Sequence, residues 1–195
     1  MSATAIYPIP NGDFAARAAL APFQLVILTA TAKLPLHSEH RMSLASLLSS
    51  EQIIPEMKAT ERWPAIVELI DLLVAQEKID PASRDGILAA LKQREETMST
   101  GIGFGIAIPH ASSEAVTEVV AAFGRSSQGI EFDALDNAPV KFVVLFIVPK
   151  NQFQTHLRTL ASIAKFLNDR SVRDRLAAAG TKEEILAVFE ERAAK

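Results

Sequence analysis

The chain has 195 residues, no cysteine and 49% hydrophobic residues, enough for one cored domain with an appendage. Its formal net charge of −3 argues against a nucleic-acid or anionic-membrane footprint. Without a thiol, disulfides and thiolate metal sites are excluded, and the composition suits a reducing cytosol without requiring one.

The first 41 residues are the least regular. The apolar run Ala18–Ala32 ends in Ala-Thr-Ala, as a secretory signal would, but Arg17 is the only basic residue before it and Asp13 also precedes it. Pro22 interrupts the run, which is shorter than the roughly 20 residues a spanning helix needs, so no direct membrane insertion is expected. Residues 1–41 are read as an N-terminal extension or as sequence ahead of a true start at Met42. His37 and His40 match no standard zinc spacing.

From Met42 the pattern is regular. Ser43–Leu48 predicts a short helix or turn and Ile53-Ile54 a strand. Thr60 is expected to cap a helix with Pro64 in its first turn, and Ile66, Leu69, Ile70 and Leu73 recur at helical spacing. Asp80-Pro81 starts another helix, which Ile87, Leu88 and Leu91 carry towards Arg94. After the glycine-rich stretch taken up below, Val116–Phe123 and Gly129–Phe132 read as two strands. Val140–Val148 is apolar enough for a strand buried on both faces. A helix over Thr155–Leu167 puts His156, Leu160, Ile163 and Leu167 on one stripe. Ser171 and Thr181 are expected to cap two closing helices, Thr181-x-x-Glu184 being a capping box, with Gly180 ending the first. Strands interleaved with helices predict an α/β fold, a mixed β-sheet flanked by helices on both faces.

The stretch with chemical content is Met98–Ala111. Gly101, Gly103 and Gly105 alternate, Ile106–Ile108 suits a short buried strand, and Pro109 should end its pairing. His110 would then be displayed, exposed, at a strand end beside a glycine loop with N–H groups to offer an anion. The glycines fail the dinucleotide fingerprint, because Ile106 stands where its last glycine belongs, and no Gly-Lys-Ser/Thr follows for a phosphate loop. By residue type alone a solitary histidine is more often structural, a helix-end arginine such as Arg94 is usually solvated, and His156 would be a core histidine bonded to backbone.

The contiguous segment Glu95–Ala111, E-x6-I-G-x2-I-A-I-P-H-A, resembles the phosphorylation-site signature of enzyme IIA domains of the fructose/mannitol class. These belong to the bacterial phosphoenolpyruvate-dependent phosphotransferase system, whose stand-alone nitrogen-regulatory members are included. The resemblance spans residues 42–192, so one type-2 IIA domain is expected there.

The resemblance implies a phosphoryl carrier with His110 as acceptor and His156 as a supporting histidine beside it. Arg94 aligns with the family's arginine ahead of the glycine loop, and its planar fork suits phosphoryl oxygens. Backbone N–H groups around Thr100–Gly103, Thr100 and Gly101 foremost, are expected to add an anion nest. No cofactor and no metal are implied, since transfer between protein histidines needs neither. The expected donor is an HPr-like phosphocarrier, and the protein is placed in the cytoplasm. The preferred reading is a nitrogen-regulatory type IIA acting through phosphorylation-dependent protein binding, because no IIB or IIC sequence is seen in the 195 residues. The alternative is a sugar-specific IIA that hands phosphate to a separate IIB for uptake. A hydrolase built on His110 and His156 lacks the ligand count for a metal.

Overall fold

The strand Val140–Pro149 is the axis of the fold, and its sequence VKFVVLFIVP explains why. Only Lys141 and the flanking turn carry polarity, and every other residue of the strand is buried. Alternation sends Phe142, Val144 and Phe146 to one face and Val143, Leu145 and Ile147 to the other. Both faces are therefore covered, as the unbroken apolar run requires.

The computed structural model describes the backbone of residues 44–193, with side chains except at 153–156, 158 and 192–193. The expected extension, residues 1–41, lies outside the described residues. Six strands form one mixed sheet: β1 (Ile53–Ile54), β2 (Gly101–Gly103), β3 (Ile106–Ala107), β4 (His110–Ser113), β5 (Val120–Ile130) and β6 (Val140–Pro149). Their order is β1-β5-β6-β3-β2, with β4 also paired to β6. β5 runs antiparallel to β6, while β3 and then β4 run parallel along the other edge of β6. β1 adds parallel to β5, and β2 folds back antiparallel on β3.

Helices α2 (Arg62–Ala75) and α3 (Arg84–Thr97) cover one face, α2 burying Ile66, Leu69, Ile70 and Leu73 and α3 burying Ile87, Leu88 and Leu91. Helices α1 (Leu44–Leu47), α4 (Phe153–Leu167), α5 (Arg170–Ala178) and α6 (Lys182–Ala193) cover the other, with Leu44, Ile163, Leu167, Leu176, Ile185 and Phe189 in its core. Each such side chain contributes about 1.5–3 kcal/mol on leaving water. No helix among the described residues is long and apolar enough to cross a membrane.

Several local expectations shift. The two strands expected at Val116–Phe123 and Gly129–Phe132 form one, Val120–Ile130. Its polar middle passes for a turn in sequence, but the chain absorbs it as an irregularity between Arg125 and Ile130, with Gly129 at φ 91° and its N–H bonded to Ser126 Oγ. The cap of α2 is Glu61, not Thr60, held by the Glu61–Glu131 bridge, while Glu68 reaches back to the amides of Lys58 and Ala59. Asp169, not Ser171, caps α5, and the N–H and hydroxyl of Ser171 both donate to it. Gly180 adopts no left-handed cap; α5 ends in extended backbone at Ala179. The Thr181–Glu184 capping box forms as expected, and Asp80 caps the Pro81–Ser83 turn that leads into α3.

Candidate functional site

The last turn of α3 turns two charged side chains to different tasks. Arg94 Nη1 donates to the Met98 carbonyl at 2.9 Å, closing the carboxyl end of the helix. Its guanidinium is half-buried, and burial pushes its pKa below the ordinary value, with the Glu95 carboxylate acting in the other direction. Glu95 turns inward and is 5% exposed. Its Oε1 accepts the Thr100 N–H at 2.8 Å, and Arg62 Nη1 approaches the same oxygen at 4.0 Å.

From Thr100 the chain makes the β2–β3 hairpin. Gly101 lies against the 132–138 loop so closely that a Cβ there would stand 2.8 Å from the Ala134 Cα. The turn itself uses Gly103, Phe104 and Gly105 at φ 90°, 56° and 76°, and the Phe104 N–H is held by Asp136 at 2.8 Å. Phe104 is 63% exposed, with the Arg173 guanidinium 5.5 Å from its ring centre. Returning along β3, Ile108 N–H donates to the Thr100 carbonyl at 3.0 Å.

Pro109 interrupts pairing with β6 but does not end it. It has no N–H, yet its carbonyl accepts from Phe146 N–H at 2.9 Å, and the ladder resumes with His110 opposite Phe146. Freed from the ladder, the Ile108 carbonyl turns to the histidine two residues on. His110 Nδ1 lies 2.8 Å from Ile108 O. A carbonyl only accepts, so Nδ1 carries the proton and the lone pair of the neutral ring sits on Nε2.

His110 is not exposed, as the sequence suggested, but 5% exposed. It begins a strand that lies directly on the central strand, opposite the buried Phe146. Burial, the largest influence, lowers its pKa from 6.5 to about 4; the Ile108 bond opposes this, and the Arg94 charge adds to it. The ring is therefore neutral at physiological pH. A neutral, oriented imidazole with a guanidinium acting on it is equipped to receive an electrophilic anion.

The structure thus brings His110, Arg94, Thr100 and Gly101 into one locality between the end of α3 and the start of β4. The Thr100 amide is taken by Glu95 and the Gly101 amide donates to Ser99 Oγ at 3.2 Å, so neither stands open as the nest expected. Among the described residues, Thr100 Oγ1 is buried without a hydrogen-bond partner. His156 belongs to the first turn of α4, which starts beyond the end of β6 and packs on the sheet face that His110 shares with Phe146. Its side chain lies outside the described residues. Among those residues no cluster of three or more His, Asp or Glu could hold a metal. Sequence reasoning missed the Ile108 carbonyl, which is left to the ring because the Thr100 N–H on that edge is held by Glu95, a pairing that residue type does not signal.

Residues 46–192 match the family model described as phosphoenolpyruvate-dependent sugar phosphotransferase system, EIIA 2. A fructose-specific EIIA component from Haloferax volcanii is 36% identical over 148 residues, 76% of this chain and 95% of that protein. The crystal structure of the nitrogen regulatory protein IIA-Ntr from Neisseria meningitidis superposes with TM-score 0.68 at 29% identity, covering 75% of this chain and 98% of that one. The mannitol IIA of Escherichia coli, solved in complex with phosphorylated IIB, gives TM-score 0.62 at 26% identity, covering 74% and 98%. The motif at His110, the sheet that presents it and these likenesses agree: the chain belongs to the type-2 enzyme IIA family of the phosphoenolpyruvate-dependent phosphotransferase system, a family of phosphoryl-carrying transferases.

Proposed function

We propose that this chain is a nitrogen-regulatory type IIA that takes a phosphoryl group from an HPr-like carrier on His110 Nε2 and acts, in the cytoplasm, through phosphorylation-dependent protein binding. The observation that carries the histidine's role is the 2.8 Å contact of Nδ1 with the Ile108 carbonyl, which leaves the lone pair on Nε2. In the transfer, that lone pair forms the new P–N bond while the P–N bond to the donor's histidine breaks, its electron pair returning to the donor nitrogen. The Nδ1 proton stays on His110 throughout. Arg94, half-buried and electrostatically coupled to His110, would balance charge on the transferred oxygens, where a preorganised cation does most good. Thr100 would add its hydroxyl, Gly101 would keep the hairpin close to its neighbouring loop, and His156 would support the phosphoryl group from α4.

The likeness to IIA-Ntr supports the regulatory branch. The fructose-specific relative and the mannitol IIA solved with IIB favour a second reading, in which phosphate passes to a separate IIB for sugar uptake.

One experiment tests the carrier role. Intact mass is read after incubation with phosphoenolpyruvate, enzyme I and an HPr-type carrier, for wild type, His110→Ala and His156→Ala. One acid-labile phosphate on wild type, none on His110→Ala and slower labelling of His156→Ala is expected. Normal labelling of His110→Ala would sink the assignment. Adding a fructose-class IIB to the labelled wild type then separates the branches, since rapid loss of the phosphate supports sugar uptake.

A further inference from the structure

A buried carboxylate stands at the far end of the hydrogen-bonded path that orients His110. Glu95 Oε1 accepts the Thr100 N–H at 2.8 Å, the Thr100 carbonyl accepts the Ile108 N–H at 3.0 Å, and the Ile108 carbonyl lies 2.8 Å from His110 Nδ1. Three short bonds thus join the last turn of α3, the entry to β2, the exit of β3 and the acceptor ring. Nothing else among the described residues bonds the Thr100 amide, and Glu95 is buried to 5% exposure.

A carboxylate is a costly group to bury, and a leucine or methionine would pack such a site without that cost. Here one oxygen is spent on the Thr100 amide, and Oε2 has no hydrogen-bond partner among the described residues. The nearby cations are Arg62, 4.0 Å from Oε1, and Arg94, the preceding residue in the helix, whose own pKa registers the Glu95 charge. Arg62 is also paired with Asp133 at 3.1 Å. A group held at such expense and bonded to one amide is placed for what that amide controls.

We propose that Glu95 is a positioning residue for His110. By pinning the Thr100 amide it fixes the strand pair that aims the Ile108 carbonyl at Nδ1, and so selects the ring tautomer whose Nε2 carries the lone pair. This deepens the carrier reading above and rests on it for its link to phosphate transfer. Its structural half, control of the tautomer, stands separately. A neutral imidazole in water favours the proton on Nε2, so a loosened carbonyl returns the proton to the nitrogen that must attack. Gln keeps an acceptor oxygen for the Thr100 amide, whereas Ala keeps none.

The test compares full-length wild type, Glu95→Ala and Glu95→Gln. Two-dimensional 15N–1H spectra report the His110 tautomer, and single-turnover transfer from a phosphorylated HPr-type carrier reports rate. Wild type and Glu95→Gln are expected to show the Nδ1–H form. Glu95→Ala should shift towards Nε2–H and transfer at least about ten-fold more slowly, the scale found for groups that orient a working histidine from behind. An unchanged tautomer in a folded Glu95→Ala, or an Nε2–H form in wild type, would overturn the proposal. Should wild type take no phosphate, the carrier reading fails while the tautomer comparison still judges Glu95. If Glu95→Ala does not fold, amide exchange in wild type decides. Protection of the Thr100 and Ile108 N–H groups matching the slowest core amides of β6 is expected, and exchange at loop rates overturns the role.

Discussion

His110 and Ile108, two residues apart on either side of a proline, are joined by a 2.8 Å contact between ring Nδ1 and main-chain carbonyl. Residues i and i+2 of an unbroken strand project to the same face, but the intervening carbonyl would normally point along the sheet to a neighbour. The Ile108 carbonyl lies on the edge where Ile108 N–H meets the Thr100 carbonyl, and because the Thr100 N–H is held by Glu95, the Ile108 carbonyl is left to serve the ring instead. The histidine's chemistry is thereby written into the main chain on which it sits.

The buried, neutral state of His110 makes stability depend on pH. Its pKa is 6.5 as an ordinary histidine and about 4 in the fold. Between these values the unfolded chain binds a proton that the folded chain refuses, so stability rises with pH across this window. The contribution is fully present above pH 6.5 and is lost as pH falls to about 4, at a cost on the order of 3 kcal/mol. Urea unfolding of wild type and His110→Gln between pH 4 and 7 should show a steeper loss for wild type. Parallel curves would mean that the ring is not held neutral. Because the ring is buried, and not exposed as its strand-end position suggested, His110→Ala should also cost about 1–3 kcal/mol at pH 7.

Arg94 is one reason for that depressed pKa, though a lesser one than burial. Removing the cation in Arg94→Ala should let the His110 pKa rise, while desolvation keeps it below the ordinary value. Transfer should slow by about a hundred-fold, as when one preorganised group is withdrawn from a developing charge. Arg94→Lys keeps the charge but not the planar fork; its His110 titration should match wild type while its rate falls between the two. An NMR titration with single-turnover rates checks both. A His110 pKa unmoved by Arg94→Ala would place the guanidinium out of electrostatic reach.

What was legible in the sequence followed the strength of the local signal. The VKFVVLFIV run, the stripe on Ile66–Leu73 and the Thr181–Glu184 box each contain their own explanation within a few residues, and the structure has all three. The single strand Val120–Ile130 was not legible, because Gly124–Gly129 is composed like a turn and is kept in the strand by distant partners: Gly124 and Arg125 pair with β6, and the Ser127 N–H donates to Glu56. The burial of His110 escaped for a related reason. Its enclosure depends on β6, some 36 residues away in the register with Phe146. Glu95 stood at the head of the recognised motif, but its partner is an amide five residues on, which charge patterning does not reveal.

Two glycines on neighbouring elements should respond to alanine with opposite signs. At Gly101 a new Cβ would lie 2.8 Å from both Cα and Cβ of Ala134. That backbone cannot easily retreat, since Ala134 O accepts from Asn137 N–H at 2.9 Å and Leu135 N–H donates to Gly101 O at 3.0 Å. Gly101→Ala should therefore cost about 1–3 kcal/mol through overpacking. It should also slow phosphate uptake, because the displaced residue adjoins Thr100 on the path to His110. Gly86 lies exposed within α3, and a methyl group there would meet nothing within 4 Å. The added side chain only restricts the unfolded chain and favours the helix, so Gly86→Ala should stabilise by about 0.5–1 kcal/mol and leave uptake unchanged. Chemical denaturation of the two variants against wild type reads both signs. A Gly101→Ala protein as stable as wild type would show that the β2 contact with Ala134 is looser than 2.8 Å implies, and with it the rigidity on which the orientation of His110 depends.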